Sequence, residues 1–158
     1  MKHADRLAEL IERDAWLDIF DAAPDQVRSS LGLASTTIAE MGLLACRAIP
    51  ITELNRAMSV GVESAPSTDD LDAVASWQNE HAPSWALQIA PGAQTPVLDD
   101  YLARASLSEA RSGWAKFVTT DACPRTPIDG LARIELLGGA DAEAFGRAVV
   151  EGLSLIHI

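Results

Sequence analysis

Apolar side chains recur at the spacing of an amphipathic helix near the start of the chain. The members that fall near one face of such a helix are Leu7, Leu10, Ile11, Leu17 and Phe20. Charged side chains take the other positions, and Pro24 ends the pattern because proline disfavours helical backbone in the residue before it. The sequence therefore predicts a helix over residues 4–22 and then a helical turn over residues 25–31, which Gly32 closes.

Short runs of apolar and β-tolerant residues follow. Residues 35–40 and 43–49 are two such runs, and Met41-Gly42 between them is the predicted turn of a hairpin. Side chains at residues 84–90 alternate in the period of a strand, and residues 114–119 predict a further strand. The chain therefore combines helices with several short strands.

Capping residues mark two more helix starts. Ser67 is followed three positions later by Asp70, the pattern of a capping box, and predicts a helix that runs to about residue 80. Thr95 precedes Pro96, a cap followed by proline at the first helical position, and predicts a helix to about residue 105. Residues 51–62 are ambiguous, although Thr52 suits the cap of a short helix there.

A linker is predicted at residues 121–129, which contain two prolines and no apolar periodicity. It separates an N-terminal domain over residues 1–120 from a new unit that opens with a predicted strand and helix. A strand and a helix alone cannot bury their hydrophobic faces. We therefore expect residues 130–152 to be the truncated start of a second domain.

The last residues, Leu153 to Ile158, spell what looks like the translation of a transposon-end sequence used in sequencing libraries. The alternative is an apolar helix end that has the same letters by chance. We interpret residues 153–158 as a non-native tail and exclude them from the prediction of the fold. The natural protein is then expected to continue from about Gly152.

Charge and composition narrow the function classes. The 158 residues hold 12 basic and 23 acidic side chains, a net charge of −11, which argues against nucleic acid or an anionic membrane as partner. No apolar run approaches the roughly 20 residues of a membrane helix, and no signal peptide is recognisable. Cys46 and Cys123 stand alone, and the histidines have no ligand-like spacing. We expect a soluble, cytoplasmic α/β protein without a metal.

Several segments, in their order along the chain, resemble the N-terminal part of a two-domain member of the GNAT acyl-CoA N-acyltransferase superfamily. The segments that carry this likeness are Leu54–Gly61, Ser67–Val74, Gln88–Gln94, Leu102–Leu107, Trp114–Phe117, Ala132–Leu136 and Asp141–Phe145. The likeness spans about residues 35–152. Ser59 and Ser106 depart from it, because glycines are usual at these positions. The resemblance implies a mixed, largely antiparallel sheet flanked by helices.

The resemblance also implies acyl transfer from acetyl-CoA to a small-molecule amine. The family binds acyl-CoA through an Arg/Gln-x-x-Gly-x-Gly/Ala loop, whose backbone N–H groups cradle the pyrophosphate. No segment fits, since Arg28–Ala34 has one residue too many and Arg111–Ala115 one too few. Gly138-Gly139 suits an anion site or a simple turn. The loop is therefore implied downstream of Glu151, in a second domain against which the first would pack.

Catalytic residues stay unassigned by this reasoning. Asn55 and Arg56 are the candidates for cofactor binding, with a structural ion pair as the alternative for Arg56. Tyr101 suits a general acid or a core residue, and Glu40 and Glu63 suit general bases or solvated carboxylates. Two other functions remain open: a non-catalytic GNAT-like module that binds substrate or packs against the second domain, and an unrelated α/β interaction domain. The last would be favoured if the strand at residues 85–90 did not lie inside a mixed sheet.

Overall fold

The computed structural model describes residues 3–105, 107–109, 138–141 and 143–148. The chain divides into two compact units, Met1–Thr120 and Asp121–Ile158. In the second unit a 3₁₀ turn spans Gly139–Asp141 and residues 143–148 are helical. The predicted strand at residues 114–119, the linker, the opening strand of the second unit and the C-terminal tail lie outside the described residues.

The first unit alternates helices and strands in an order close to the predicted one. Its described elements are α1 (His3–Asp21), α2 (Asp25–Leu31), β1 (Leu33–Ile38), β2 (Met41–Cys46), β3 (Arg56–Val60), α3 (Thr68–His81), β4 (Ala86–Ile89) and α4 (Pro96–Arg104), with a 3₁₀ turn at Thr52–Leu54. No helix within these described ranges is long and apolar enough to cross a bilayer.

The four strands form one sheet in the order β1-β2-β3-β4. β1 and β2 form an antiparallel hairpin, β3 pairs antiparallel with β2, and β4 pairs parallel with β3 after the α3 crossover. The prediction of a mixed, largely antiparallel sheet flanked by helices is thereby confirmed at the level of fold class. Within the described part of the chain β4 is the last strand, so the interior position that would exclude an unrelated interaction domain stays a prediction.

Each face of the sheet is covered by its own helices. On one face, side chains of α3 and α4, including Leu71, Val74 and Leu98, pack on buried residues of β2 and β3. On the other face, Phe20 of α1 packs against Leu44 and Met58. The alternation of side chains along each strand supplies both layers, as expected for a sheet with no open face.

Local signals placed most helix ends correctly. α2 ends at Gly32, which adopts the left-handed conformation (φ 60°). α3 begins with the predicted capping box of Ser67 and Asp70, and Thr95 caps α4 with Pro96 at its first turn. Within α1, however, Leu7 and Ile11 are exposed rather than inward, because the helix is apolar on more than one face.

The hairpin turn lies two residues earlier than predicted. Ala39 and Glu40 form it, both with positive φ (45° and 69°), and Met41-Gly42 opens β2 instead. Gly42 is needed there for packing, since an added Cβ would lie 2.5 Å from Cγ of Arg13 on α1. The glycine therefore marks a close approach between helix and sheet, and the turn forms without one.

The short helix expected after Thr52 is a 3₁₀ turn followed by a strand. All five residues of β3 are buried, with β2 on one side and β4 on the other. In this central position backbone groups need partners from both neighbouring strands, and a helix would leave β2 and β4 unpaired. Sheet pairing therefore decides the conformation of a segment whose own pattern is ambiguous.

Candidate functional site

A buried group of polar side chains lies between α1 and the two parallel strands. We call Glu9, Glu12, Arg56 and Gln88 the α1 polar cluster. Arg56 Nη2 donates to Glu12 Oε1 at 3.1 Å, and Gln88 Nε2 donates to Glu12 Oε2 at 2.8 Å. A longer bond of 3.4 Å joins Gln88 Nε2 to Glu9 Oε2. The cluster therefore joins the helix to β3 and β4 through charged and amide groups rather than through apolar contact.

Strand periodicity explains how the sheet contributes to this cluster. Leu87 and Ile89 pack with the α3 and α4 side of the core, so Gln88 between them points to the α1 side. Arg56 lies at the start of β3, and its guanidinium carbon sits 5.4 Å from the centre of the Trp16 ring. This distance is within the range of a cation–π contact. The indole thus covers the guanidinium while Glu12 neutralises it.

Two buried atoms of the cluster have no hydrogen-bond partner. They are Nε of Arg56, a donor, and Oε1 of Gln88, an acceptor. Leaving a buried polar atom unpaired costs roughly 1–3 kcal/mol. Two carboxylates around one guanidinium also leave an excess of negative charge. The arrangement suits a group that both accepts and donates a hydrogen bond, and its net charge favours a cation over an anion.

Arg56 therefore takes the structural role that was its alternative in the sequence. Only 8% of the residue is exposed, and its charge is directed at Glu12 beneath Trp16. These contacts turn the guanidinium into the sheet-facing side of α1. Cofactor binding by Arg56 stays a prediction that would need this ion pair to open.

Asn55 has its polar side chain fully occupied by the loop between β2 and β3. Its Oδ1 accepts from the backbone N–H of Cys46 at 2.8 Å. Its Nδ2 donates to the carbonyl oxygens of Ile49 at 2.8 Å and Ile51 at 2.9 Å. Both amide hydrogens are used, and the residue is fully buried. The geometry argues that Asn55 closes this loop and is not placed to touch a cofactor.

Glu40 and Glu63, the predicted candidates for a general base, are joined through one arginine. Nη1 of Arg13 donates to the Glu40 carbonyl at 2.8 Å and to Glu63 Oε2 at 3.0 Å. Arg6 binds the other oxygen of Glu63 at 3.1 Å, and Ser64 Oγ donates to the Glu40 carboxylate. These contacts hold α1 to the hairpin turn and to the loop after β3. A carboxylate held by two guanidiniums is a poor base.

Arg13 itself responds to these neighbours. Its bond to Asp14, and to a smaller degree its bond to Glu63, raise the pKa of the guanidinium above its usual value, although burial opposes the shift. The charge of Arg13 is therefore fixed at any working pH. Its position over the turn also explains how two residues without glycine hold positive φ there, because the Glu40 carbonyl is anchored to it.

Tyr101 packs as a core residue. Only 5% of it is exposed, and its hydroxyl donates to the Leu71 carbonyl at 3.1 Å. Burial, and then the charge of Asp72, raise the pKa of Tyr101 above its ordinary value. The residue also lines a surface pocket of about 340 Å³ with Asn79 and Trp85, but its proton is already donated within the protein. These contacts do not suit a general acid.

The crossover from β3 to α3 is the described place where a helix start follows a strand within a parallel pair. Gly61 is left-handed there (φ 73°), and an added Cβ would lie 2.8 Å from the Ala93 carbonyl oxygen. The α3 start carries Asp69 and Asp70, and Ser67 bonds reciprocally with Asp70. Internal caps and negative charge occupy the positions that a pyrophosphate would need. This loop is not a phosphate cradle.

The capping box gives the α3 start a defined response to acid. The Ser67 hydroxyl, and after it the Ser67 backbone N–H, hold the pKa of Asp70 below its ordinary value of 3.8. Stabilisation from this lowered pKa is complete above the unfolded value and is lost as pH falls through the folded value. We expect an NMR titration of the Asp70 carboxyl to show this lowered midpoint. Ser67→Ala should return it towards 3.8, whereas Ser64→Ala, outside the cap, should leave it unchanged.

The other sequence candidates are not gathered at one place. Gly139 opens a three-residue turn, and an added Cβ there would meet nothing within 4 Å, so space does not require a glycine. Among the described residues no group of three or more His, Cys, Asp or Glu is arranged to hold a metal ion. Cys46 is buried and unpaired by disulfide.

Sequence reasoning did not identify Glu9, Glu12 and Gln88. A usable signal was present, because Gln88 interrupts the apolar face pattern of a strand and the two glutamates lie one helical turn apart. Their meeting depends on the placement of α1 across the sheet, with Gln88 and Glu12 separated by 76 positions.

Comparison with protein families, with curated proteins and with solved structures found no match to this sequence.

Proposed function

We propose that this chain is part of a GNAT-type N-acyltransferase, which transfers an acyl group from acetyl-CoA to a small-molecule amine. In this proposal acyl-CoA is held by residues other than those of the β3–α3 crossover. The support comes from the ordered segments of the resemblance together with the mixed, largely antiparallel sheet. The amine acceptor and the catalytic groups are not part of the proposal.

The observation that carries the proposal concerns Ser59. The resemblance has a glycine at this position, and the serine here has a φ of 59°, in the region that glycine favours. The pairing of β3 with β4 is irregular at the same place, between Ala57 and Val60. A residue that departs from the family in type thus keeps the backbone conformation that a glycine would explain. Ser59 Oγ donates to the Glu9 carbonyl at 3.0 Å, which helps to hold this conformation.

Substitutions at Ser59 test that interpretation through stability. Ser59→Ala keeps the left-handed strain and loses the bond to Glu9, so we expect destabilisation by about 1 kcal/mol. Ser59→Gly loses the same bond but relieves strain of roughly 1–2 kcal/mol, and should be close to neutral. Urea unfolding measures both values. A glycine variant as destabilised as the alanine variant would contradict strain at this position.

Activity assays test the proposed reaction. The 158-residue chain should show no CoA release from acetyl-CoA with a panel of amines and no micromolar binding of acetyl-CoA in calorimetry. The product of the longest reading frame that contains this sequence should release CoA with at least one amine. Turnover by the 158-residue chain would overturn the placement of acyl-CoA, and an inactive longer product would overturn the reaction.

The second candidate function is a non-catalytic GNAT-like module that binds substrate or packs against another domain. The acidic, internally capped crossover favours it, because this loop offers nothing to a pyrophosphate. The excess negative charge of the α1 polar cluster is compatible with an amine ligand. Calorimetry with simple polyamines distinguishes the two: amine binding by a longer product that never releases CoA favours the module.

A further inference from the structure

Helix α1 carries a second apolar surface that its own sheet does not cover. Leu7, Ile11 and Ile19 are 43%, 66% and 59% exposed, while Phe20 on the opposite side is buried. Ala15 is also exposed and lies between Ile11 and Ile19 at four-residue spacing. We call Leu7, Ile11, Ala15 and Ile19 the outer stripe of α1. Single exposed apolar residues are ordinary, but an aligned set along one helix is typical of an interface.

Charge is distributed unequally along the exposed side of the same helix. Asp14, Asp18 and Asp21 are exposed in its second half, and its last turn has no basic residue. Negative charge at a helix C-terminus opposes the helix dipole, whereas at an N-terminus it is favourable. The first half of the helix carries the exposed His3 and Arg6. The two ends of α1 are therefore electrostatically complementary to each other.

From these two features we infer that the outer stripe is the interface of a homodimer, in which α1 packs antiparallel on α1 of a second copy. A two-fold axis near the middle of the helix brings Leu7 of one copy against Ile19 of the other, with Ile11 and Ala15 at the centre. Such an interface is self-complementary, as two-fold symmetry requires. The inference is independent of the proposed function.

The antiparallel direction follows from the charges. It places Asp18 and Asp21 of one copy beside the helix N-terminus and His3 of the other, and a parallel pair would bring the acidic ends together. Asp14, which lies close to the two-fold axis, is neutralised by Arg13 at 2.7 Å. The 19 residues of α1 span roughly 28 Å at about 1.5 Å per residue, so contact along the helix is extended but narrow.

Sedimentation across a concentration series tests the dimer. We expect a monomer–dimer equilibrium for the 158-residue chain, and Ile11→Glu should raise the dissociation constant at least tenfold. Val97→Glu is the matched control, because Val97 is 42% exposed on α4, away from the stripe, and should leave the equilibrium unchanged. A chain that stays monomeric at millimolar concentration, or a dimer that Ile11→Glu leaves intact, would overturn the inference.

Cysteine cross-linking tests the direction of packing. In an antiparallel pair, Leu7→Cys and Ile19→Cys chains should form a disulfide dimer when mixed under oxidising conditions, and neither should do so alone beyond the level of the parent chain. A parallel pair would give the reverse result, with each variant cross-linking to itself. In addition, Asp18→Lys should weaken the dimer and His3→Glu in the same chain should restore it. Failure of this rescue would contradict the charge argument.

Discussion

Replacing Asn55 with alanine is expected to lower the free energy of unfolding by about 3 kcal/mol. The substitution removes one acceptor and two donors at a fully buried position. It leaves the Cys46 N–H and the carbonyls of Ile49 and Ile51 without their partner. Each buried group that loses its bond contributes roughly 1–3 kcal/mol, reduced where water can reach the loop. Urea unfolding at neutral pH measures the loss.

Two further variants separate hydrogen bonding from packing at this position. Asn55→Asp keeps the shape but presents oxygen to the carbonyls of Ile49 and Ile51, and should be at least as destabilising as alanine. Asn79→Ala is the control, because Asn79 is exposed and makes one side-chain bond, to Trp85. It should cost less than about 1 kcal/mol. An aspartate variant as stable as the parent chain would show that the amide donors are not needed.

Replacing Arg56 with alanine is expected to destabilise the protein by about 2–3 kcal/mol. Breaking a buried ion pair typically costs 3–5 kcal/mol, and the Glu12 side chain is 25% exposed, so solvent recovers part of the loss. The guanidinium also leaves the Trp16 face, which removes the packing of its stem. Chemical denaturation gives the change in stability, and tryptophan fluorescence reports the loss of cover over Trp16.

A double substitution tests whether the ion pair or the volume matters. Glu12→Gln with Arg56→Met removes both charges and keeps a long side chain on Trp16, and should lie within about 1 kcal/mol of the parent because buried pairs and apolar replacements are often equal in stability. Arg56→Met alone leaves the carboxylates uncompensated and should be worse than the double variant. Equal losses in the single and double variants would contradict coupling between Glu12 and Arg56.

These outcomes bear on how the Asn-Arg segment is interpreted. In the sequence, Asn55 and Arg56 were the only candidates for cofactor binding. In the structure, Asn55 closes the loop after β2 and Arg56 fastens α1 to β3. Polar residues that look functional in a sequence can thus be buried, satisfied parts of a core. The search for catalytic groups therefore turns to residues outside the described ranges and to the α1 polar cluster.

Neither the hairpin turn nor β3 was predictable from local pattern. Ala39 and Glu40 lack the asparagine or glycine that usually marks such a turn. Their conformation depends on Arg13, which lies 27 positions away from Glu40. β3 likewise has no clear alternation, because it is buried on both faces and between two neighbours. In both cases the missing information is in contacts between distant parts of the chain.

The sequence by itself determined where α1, α2, α3 and α4 begin or end and that β4 is a strand, because Pro24, Gly32, Ser67 and the Thr95-Pro96 pair act on their own backbone. It also determined the acidity of the chain and the ordered resemblance on which the proposed function rests. Only the tertiary structure decided the strand conformation of residues 56–60 and the meeting of Glu12 with Arg56 and Gln88. The exposure of the outer stripe was decided there as well. The physical reason is range: caps and turns bond within a few residues, whereas pairing, burial and ion pairs depend on which distant segments the fold brings together.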